Sequence, residues 1–371
     1  MGIMVGLPSP SGSEKDLQLN FGKNMTVQVE MRAPHLPAEW HMQSGIQLTW
    51  PHAGTDWAYM LEEVQECFIR IAKEIAEREL LLIVTPEPEE VKKQISAVVN
   101  MDNVRFLKCA TNDTWARDHG AITMIDTGNP SLLDFTFNGW GLKFAAELDN
   151  QITKQAVEAG ALKGQYIDCL DFVLEGGSIE SDGMGTLLTT SECLLSPQRN
   201  GKLNQVEIEE YLKSTFHLQK VLWLDHGYLA GDDTDSHIDT LARFCSTDTI
   251  AYVKCTDEAD EHYEALLAME EQLKTFRTLA GEPYRLLALP MADKIEEDGE
   301  RLPATYANFL ILNDAVLYPT YNQPENDRKA GEVLQQAFPK YQIIGIDCRA
   351  LIKQHGSLHC VTMQYPMGVL K

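Results

Sequence analysis

Residues Trp57–Val84, WAYMLEEVQECFIRIAKEIAERELLLIV, run an amphipathic helix directly into an apolar strand. Trp57, Met60, Leu61, Val64, Phe68, Ile71 and Ile75 recur at three- and four-residue spacing, with Glu and Lys between them, which predicts a helix over 57–78. Leu80–Val84 is an uninterrupted apolar run of strand length, closed by Pro86, and reads as a buried strand. A helix feeding such a strand is the signature of an α/β chain.

The same alternation extends to the C-terminus. Glu89–Val99 reads as a helix entered through Pro86 and Pro88, and Arg105–Cys109, Ala121–Ile125 and Leu132–Phe137 as strands. A helix is expected over Ala145–Glu158, ending at Gly160. Strands at Phe172–Leu174, Ser178–Glu180 and Thr186–Thr190 precede a helix at Gln205–Phe216. Val221–Leu224, Ile238–Phe244 and Thr249–Val253 read as strands, followed by a helix at Glu258–Leu279. Tyr284–Leu289, Phe309–Leu312 and Ala315–Tyr318, a helix at Arg328–Phe338, and strands at Gln342–Ile346 and Leu358–Thr362 complete the pattern. Strand pairs thus alternate with single helices about five times, and several pairs sit too close for a crossover helix, which argues against a purely parallel sheet. No GxGxxG follows an early strand, so a dinucleotide fold is disfavoured. The expected fold is mixed α/β, built of strand-strand-helix-strand units around a centre.

Upstream the pattern fades. Pro8-Ser9-Pro10-Ser11-Gly12-Ser13 has no periodicity, and residues 1–34 are expected to be a disordered leader or extension, with Met25 and Met31 as alternative starts. Residues 35–371 are expected to form a single catalytic domain.

Composition bounds the function. The chain has 371 residues, with 31 Lys plus Arg against 55 Asp plus Glu, a net charge of -24. That balance argues against a nucleic-acid partner and suits a small cationic one. Its longest apolar runs are too short to cross a bilayer, and it opens without a secretory segment. Eight scattered cysteines with no CxxC pair point to a reducing compartment, so a cytoplasmic location is expected.

Four polar clusters interrupt the pattern at strand ends. In Asn112–Asp118, Asp118 could accept hydrogen bonds from a cation beside the aromatic wall of Trp115, with Arg117 holding the turn by pairing with an acid; the plainer reading is an Asx-rich surface turn. Glu175 precedes two glycines that let backbone approach closely, although a simple hairpin would use the same residues. Gly231–Asp239 is the densest: in a strand, His237 and Asp239 would share one face, setting an acid/base beside a carboxylate. Asp232, Asp233 and Asp235 read as a solvated loop, and the run lacks both HExxH and EF-hand spacing, so no metal or other cofactor is expected. The fourth cluster surrounds Cys360. A lone cysteine in a strand is ordinarily a small hydrophobe, as for Cys67 and Cys109, but here Gly356 and polar neighbours surround a thiol able to attack an electrophilic carbon. His359 would face the opposite side of such a strand, leaving His237 as the partner.

Taken together, PAEWHMQSGIQLTWPH from Pro37, NDTWARDHGAI from Asn112, LEGGSIESDG from Leu174, TLLTTSECLLSPQRN from Thr186, GDDTDSHIDTLARF from Gly231, ATYANFLI from Ala304 and HCVTMQYP from His359 resemble the agmatine deiminase family of the guanidine-modifying pentein superfamily. The resemblance implies a five-bladed α/β propeller with pseudo-fivefold units and an active site at its centre. It implies Cys360 as nucleophile, His237 as general acid/base, Asp118 and Asp239 as carboxylates gripping a guanidinium, Glu175 as support for the ligand or His237, and Trp115 as a pocket wall. The reaction implied converts agmatine to N-carbamoylputrescine and ammonia through a cysteine amidino-thioether, in polyamine synthesis, by a homodimer or higher homo-oligomer. Alternatives are an arginine or peptidyl-arginine deiminase of the same superfamily, a metal-dependent hydrolase using Asp232–Asp239, or a binding protein. Ser236, His355 and Met363 depart from the family pattern, and none is among the proposed catalytic groups.

Overall fold

In the computed structural model, residues 34–126 and 129–371 are described, so the expected leader lies, but for Pro34, outside the described residues. The helix of the opening stretch starts as a 3-10 turn at Ala58–Met60 and continues as Leu61–Ala76. Glu62 and Glu63 in its first turn and Lys73 in its last complement the helix dipole. Val64, Phe68, Ile71 and Ile75 form its buried face. Leu80–Thr85 is flanked by parallel strands on both edges, Gln43–Thr49 and Val104–Lys108, which explains why its run is apolar without alternation.

Among the described residues, five mixed sheets follow one another along the chain, each an antiparallel pair extended across a helix by a parallel strand, or by two such strands in the first sheet. The second contains Ile122–Met124, Ser131–Thr136 and Gln165–Val173, with helix Ile152–Glu158 in its crossover. The third contains Ile179–Ser181, Thr186–Thr190 and Lys220–Leu224, crossed by helix Gln205–Phe216, which opens on an Asn204/Glu207 capping box. The fourth contains Ala242–Ser246, Thr249–Lys254 and Arg285–Pro290, with helix Tyr263–Thr275. The fifth contains Leu310–Ile311, Ala315–Thr320 and Gln342–Asp347, with helix Pro324–Ala337. The first sheet is completed from the far end of the sequence, where Thr362–Pro366 pairs antiparallel with Gln43–Thr49. A small hairpin, Glu296–Glu297 with Glu300–Arg301, was not anticipated. Among the described residues no helix is long and apolar enough to cross a membrane.

Three expected elements differ for local chemical reasons. Residues 238–240 form a 3-10 turn and the strand begins at Ala242, because the Thr240 amide and hydroxyl both donate to the His237 carbonyl, at 3.2 and 2.8 Å. Residues 358–361 are likewise a turn, with the amide and hydroxyl of Thr362 donating to the His359 carbonyl at 3.0 and 2.9 Å. Such back-bonding competes with a strand ladder. The helix expected from Ala145 begins only with a 3-10 turn at Asp149, because the Asn112 side chain accepts the amides of Leu148 and Asp149 at 2.7 and 3.2 Å.

The middle of the molecule holds a buried charge cluster. Arg243 is fully buried and pairs with Glu39 at 2.5 Å and with Glu180, while donating to the carbonyls of Phe309 and Ala307 at 2.6 and 3.2 Å. Its guanidinium carbon sits 4.6 Å from the centre of the Phe309 ring. Replacing it by Met would leave the buried Glu180 carboxylate without its ion-pair partner and Glu39 with His359 alone. Arg243→Met is expected to lose about 3–5 kcal/mol of stability in urea unfolding, and an unchanged midpoint would contradict this role.

Candidate active site

Each passage from one sheet to the next delivers a polar group just ahead of a strand. Asp118 lies in the short helix Ala116–His119 before Ile122–Met124, and Glu175 with Gly176–Ser178 before Ile179–Ser181. His237 and Asp239 precede Ala242–Ser246, Asn308 precedes Leu310–Ile311, and Cys360 precedes Thr362–Pro366. Five segments distant in sequence therefore supply one constellation.

Gly177 marks its centre. A Cβ built there would stand 2.6 Å from His237 Nδ1, 2.8 Å from Asp118 Oδ1 and 3.2 Å from Asp239 Oδ2. Asp118 is clamped by the Gly177 amide at 2.9 Å and by the Trp140 indole at 2.9 Å, and lies 3.7 Å from His237 Nδ1. Asp239 Oδ2 is 2.7 Å from His359 Nδ1 and 3.9 Å from Cys360 Sγ. Cys360 is further set by the Asn308 side chain, whose oxygen is 3.4 Å from Sγ and accepts the Cys360 amide at 3.3 Å. Asp239 Oδ1 and both ring nitrogens of His237 are buried without a hydrogen-bond partner. Buried polar atoms are rarely left unmet, so this trio of vacant positions marks where a ligand with N–H groups would complete the site.

The charges sit in tension. Burial, with Asp239 and Asp118 nearby, pushes the Cys360 thiol well above the usual range. Burial, reinforced by Asp239 and Glu175, pushes the Asp118 carboxyl up as well. Burial would also raise Asp239, but the hydrogen bond and charge of His359 outweigh it and hold that carboxyl low. Burial lowers His237 to about 3, against the pull of Asp239, so its imidazole is a neutral base.

A cavity of about 440 Å³ leads to Cys360 and Asp118. Its walls include Trp115, Trp140 and Phe144, and its acids are Asp56, Asp113, Asp149 and Asp233. Burial raises Asp113 to about 7 and Asp149 to about 8. The single Lys or Arg among its lining residues, Lys143, is already engaged by Asp235 at 2.7 Å and by the Asp233 carbonyl. Trp140 is held at φ 54, a left-handed conformation unusual for a bulky residue, by its bond to Asp118 and edge contacts with Phe137, Trp115 and Phe144. Gly356 is needed because a Cβ there would strike the Trp115 ring at 2.1 Å.

All six residues singled out from the sequence are buried here, and Cys360, Asp118, Asp239 and His237 lie close together. Trp115 lines the cavity. Other details differ. Glu175 has a carboxylate oxygen within 4.8 Å of a His237 ring nitrogen, yet its hydrogen bonds go to Arg199 Nε, 2.9 Å from each oxygen. Arg117 holds its turn through the Gln364 amide oxygen at 2.5 Å and the His359 carbonyl, not through an acid. His359, set aside on strand geometry, reaches the same Asp239 oxygen as Cys360 because residues 358–361 turn. Asn308, Trp140 and Arg199 were not assigned either. Asn308 and Arg199 lie inside motifs quoted above, and what was missing was a polar side chain at an otherwise apolar crossing.

Gly177→Ala is expected to abolish turnover while leaving the circular dichroism spectrum and unfolding midpoint near those of the parent, and substantial residual activity would show that the predicted crowding is tolerated. Alkylation of Cys360 by iodoacetamide in the ligand-free protein should be slow near neutral pH. Because the folded thiol titrates above its ordinary 9.0, the rate should climb as pH rises beyond that value. A profile already level at neutral pH would contradict the electrostatics described.

Comparison with known proteins agrees with this geometry. Residues 35–366 match the Porphyromonas-type peptidyl-arginine deiminase family model. A Porphyromonas gingivalis structure, provisionally named an arginine deiminase, is 50% identical with a TM-score of 0.86, over 91% of this chain and 100% of that one. The C. jejuni agmatine deiminase with substrate bound is 39% identical with a TM-score of 0.84, over 94% of this chain and 100% of that one. A Legionella pneumophila protein, provisionally named an agmatine deiminase, is 32% identical over 92% of this chain and 98% of its own length. The chain belongs to the Porphyromonas-type peptidyl-arginine deiminase family, within the pentein superfamily, and is a hydrolase acting on the C–N bond of a guanidine or amidine.

Proposed function

We propose that residues 35–371 form one catalytic domain that hydrolyses agmatine to N-carbamoylputrescine and ammonia, with Cys360 as nucleophile. The observation that carries the reaction type is the group of buried polar atoms without a hydrogen-bond partner, the acceptor Asp239 Oδ1 and the two His237 nitrogens, one a donor and one an acceptor in the neutral ring, gathered beside the thiol. A guanidinium is planar with paired N–H donors that match carboxylates, and Asp118 and Asp239 would hold two of its edges. The closed five-bladed propeller belongs to the same reading, supported by five sheets of like strand sequence whose crossings supply the site.

The empty site keeps its thiol protonated; a bound cation would offset the two carboxylates and ease ionisation. Cys360 gives its proton to neutral His237 and bonds to the guanidinium carbon. His237 returns that proton to the departing nitrogen, the C–N bond breaks, and ammonia leaves an amidino-thioether. Water then attacks the same carbon as His237 takes its proton. The C–S bond breaks, His237 returns its proton to the sulfur, the new hydroxyl on the carbon loses its proton to the released ammonia or to solvent, and the carbamoyl product leaves.

Agmatine is favoured by the cavity wall, where Asp56, Asp113, Asp149 and Asp233 face a substrate's far end and the single lining cation is already neutralised. A bound ammonium would draw Asp113, Asp149 and Asp233, whose carboxyls burial raises, toward their charged forms, whereas an α-carboxylate would find no unpaired lysine or arginine on the wall. The second reading, arginine or peptidyl-arginine, is favoured by the family model's description and by the name carried by the 50%-identical relative.

Ammonia release from agmatine, free arginine and an arginine-containing peptide separates the two. We expect agmatine to give the highest kcat/KM and Cys360→Ala to lose nearly all turnover while remaining folded. Efficient use of arginine or peptide with little use of agmatine would establish the second reading. Turnover retained by Cys360→Ala would reject the nucleophile.

A further inference from the structure

A second thiol lies behind the acid/base residue. Cys193 belongs to the helical turn Ser191–Leu194, which follows strand Thr186–Thr190. Its Sγ, a Glu175 carboxylate oxygen and a His237 ring nitrogen all lie within 4.8 Å of one another, and all three residues are fully buried. The reaction described above gives Cys193 no task.

Two observations make this trio a ligand set. Both His237 nitrogens lack a hydrogen-bond partner, so one can bind a cation without breaking an existing contact. Glu175 accepts a single N–H, shared by its two oxygens, from Arg199. A carboxylate has about four lone-pair positions, so capacity remains. Sulfur, imidazole and carboxylate together are the donors zinc takes, and the three atoms would draw together by roughly an ångström to reach its bond lengths. The guanidinium of Arg199 opposes a metal here, but Glu175 and Asp235, the latter 2.5 Å from Nη1, already offset its charge. The acidic cavity gathers cations toward Asp118, whose Oδ1 is 3.7 Å from His237 Nδ1.

We propose that Cys193, His237 and Glu175 form an inhibitory zinc site that removes His237 from acid/base duty. Zn²⁺ displaces the Cys193 thiol proton to solvent and binds Sγ, one imidazole nitrogen and one Glu175 oxygen, leaving a position for water. No electron is transferred. Magnesium and calcium, which prefer oxygen ligands, do not substitute. The effect on turnover rests on the deiminase reading, whereas the binding does not.

The test uses the metal-free full chain carrying Cys360→Ala, which removes the other thiol near His237, and zinc as probe. Calorimetry should give a tight site that weakens by at least about tenfold when Cys193→Ser is added. Cobalt in the same protein should give a thiolate charge-transfer band, lost with Cys193→Ser and with His237→Ala. In the active enzyme, Cys193→Ser should leave zinc-free turnover intact and raise the inhibitory zinc concentration by about tenfold. Unchanged zinc affinity on Cys193→Ser, or a cobalt band that survives it, would overturn the site. Should Cys193→Ser fail to fold, the cobalt band and its loss in His237→Ala decide the question. Zinc binding without turnover of any guanidine would leave the site standing and reject the deiminase reading.

Discussion

The guanidinium of Arg243 is cut off from water and must find every partner within the protein. It meets Glu39 ahead of the first sheet, Glu180 in the third, and the carbonyls of Ala307 and Phe309 at the entry to the fifth. His359 joins the cluster, with Nε2 2.8 Å from Glu39 and Nδ1 2.7 Å from Asp239. One rigid fork of donors thus ties together segments that are far apart in the sequence. The position of Asp239, and through it the surroundings of the sulfur, follows from that buried cluster. Burial would raise the Glu39 carboxyl, yet His359 and Arg243 hold it well below the ordinary range. The cluster therefore keeps its negative charge where a neutral acid would loosen it.

The site's polarity makes sense as an incomplete circuit. Asp118 and Asp239 both weigh against a thiolate, and Asp118 is itself driven toward its protonated form. Under the proposed reading, a positive ligand would relieve all three strains at once. Reactivity is thereby tied to occupancy, and an empty pocket holds a comparatively inert sulfur.

Much of this was legible in the sequence. Helix Leu61–Ala76 and strand Leu80–Thr85 followed from periodicity and an apolar run, and strand Thr186–Thr190 and helix Gln205–Phe216 stand where expected. The misreadings cluster at the sheet-to-sheet crossings. There a hydroxyl three residues downstream bonds back to a carbonyl: Ser178 to Glu175 at 2.6 Å, Thr240 to His237, and Thr362 to His359. Alternating residues that resemble a strand become a tight turn, which brings His359 and Cys360 to the same carboxylate. Arg199 and Asn308 escaped notice because their work depends on partners far away in the chain, Asp235 and Glu175 for one and Cys360 for the other. No local pattern encodes such a pairing.

The pairing of Thr362–Pro366 with Gln43–Thr49 has a consequence for biosynthesis. Cys360 lies just ahead of the strand that completes the first sheet, and that strand's antiparallel partner, Gln43–Thr49, lies far upstream in the sequence. During synthesis the first sheet must wait for Thr362–Pro366 until the strands of the other four sheets have been made. The nascent protein can therefore hold most of its architecture before the proposed nucleophile is in place, and that residue is set only when Thr362–Pro366 docks beside Gln43–Thr49.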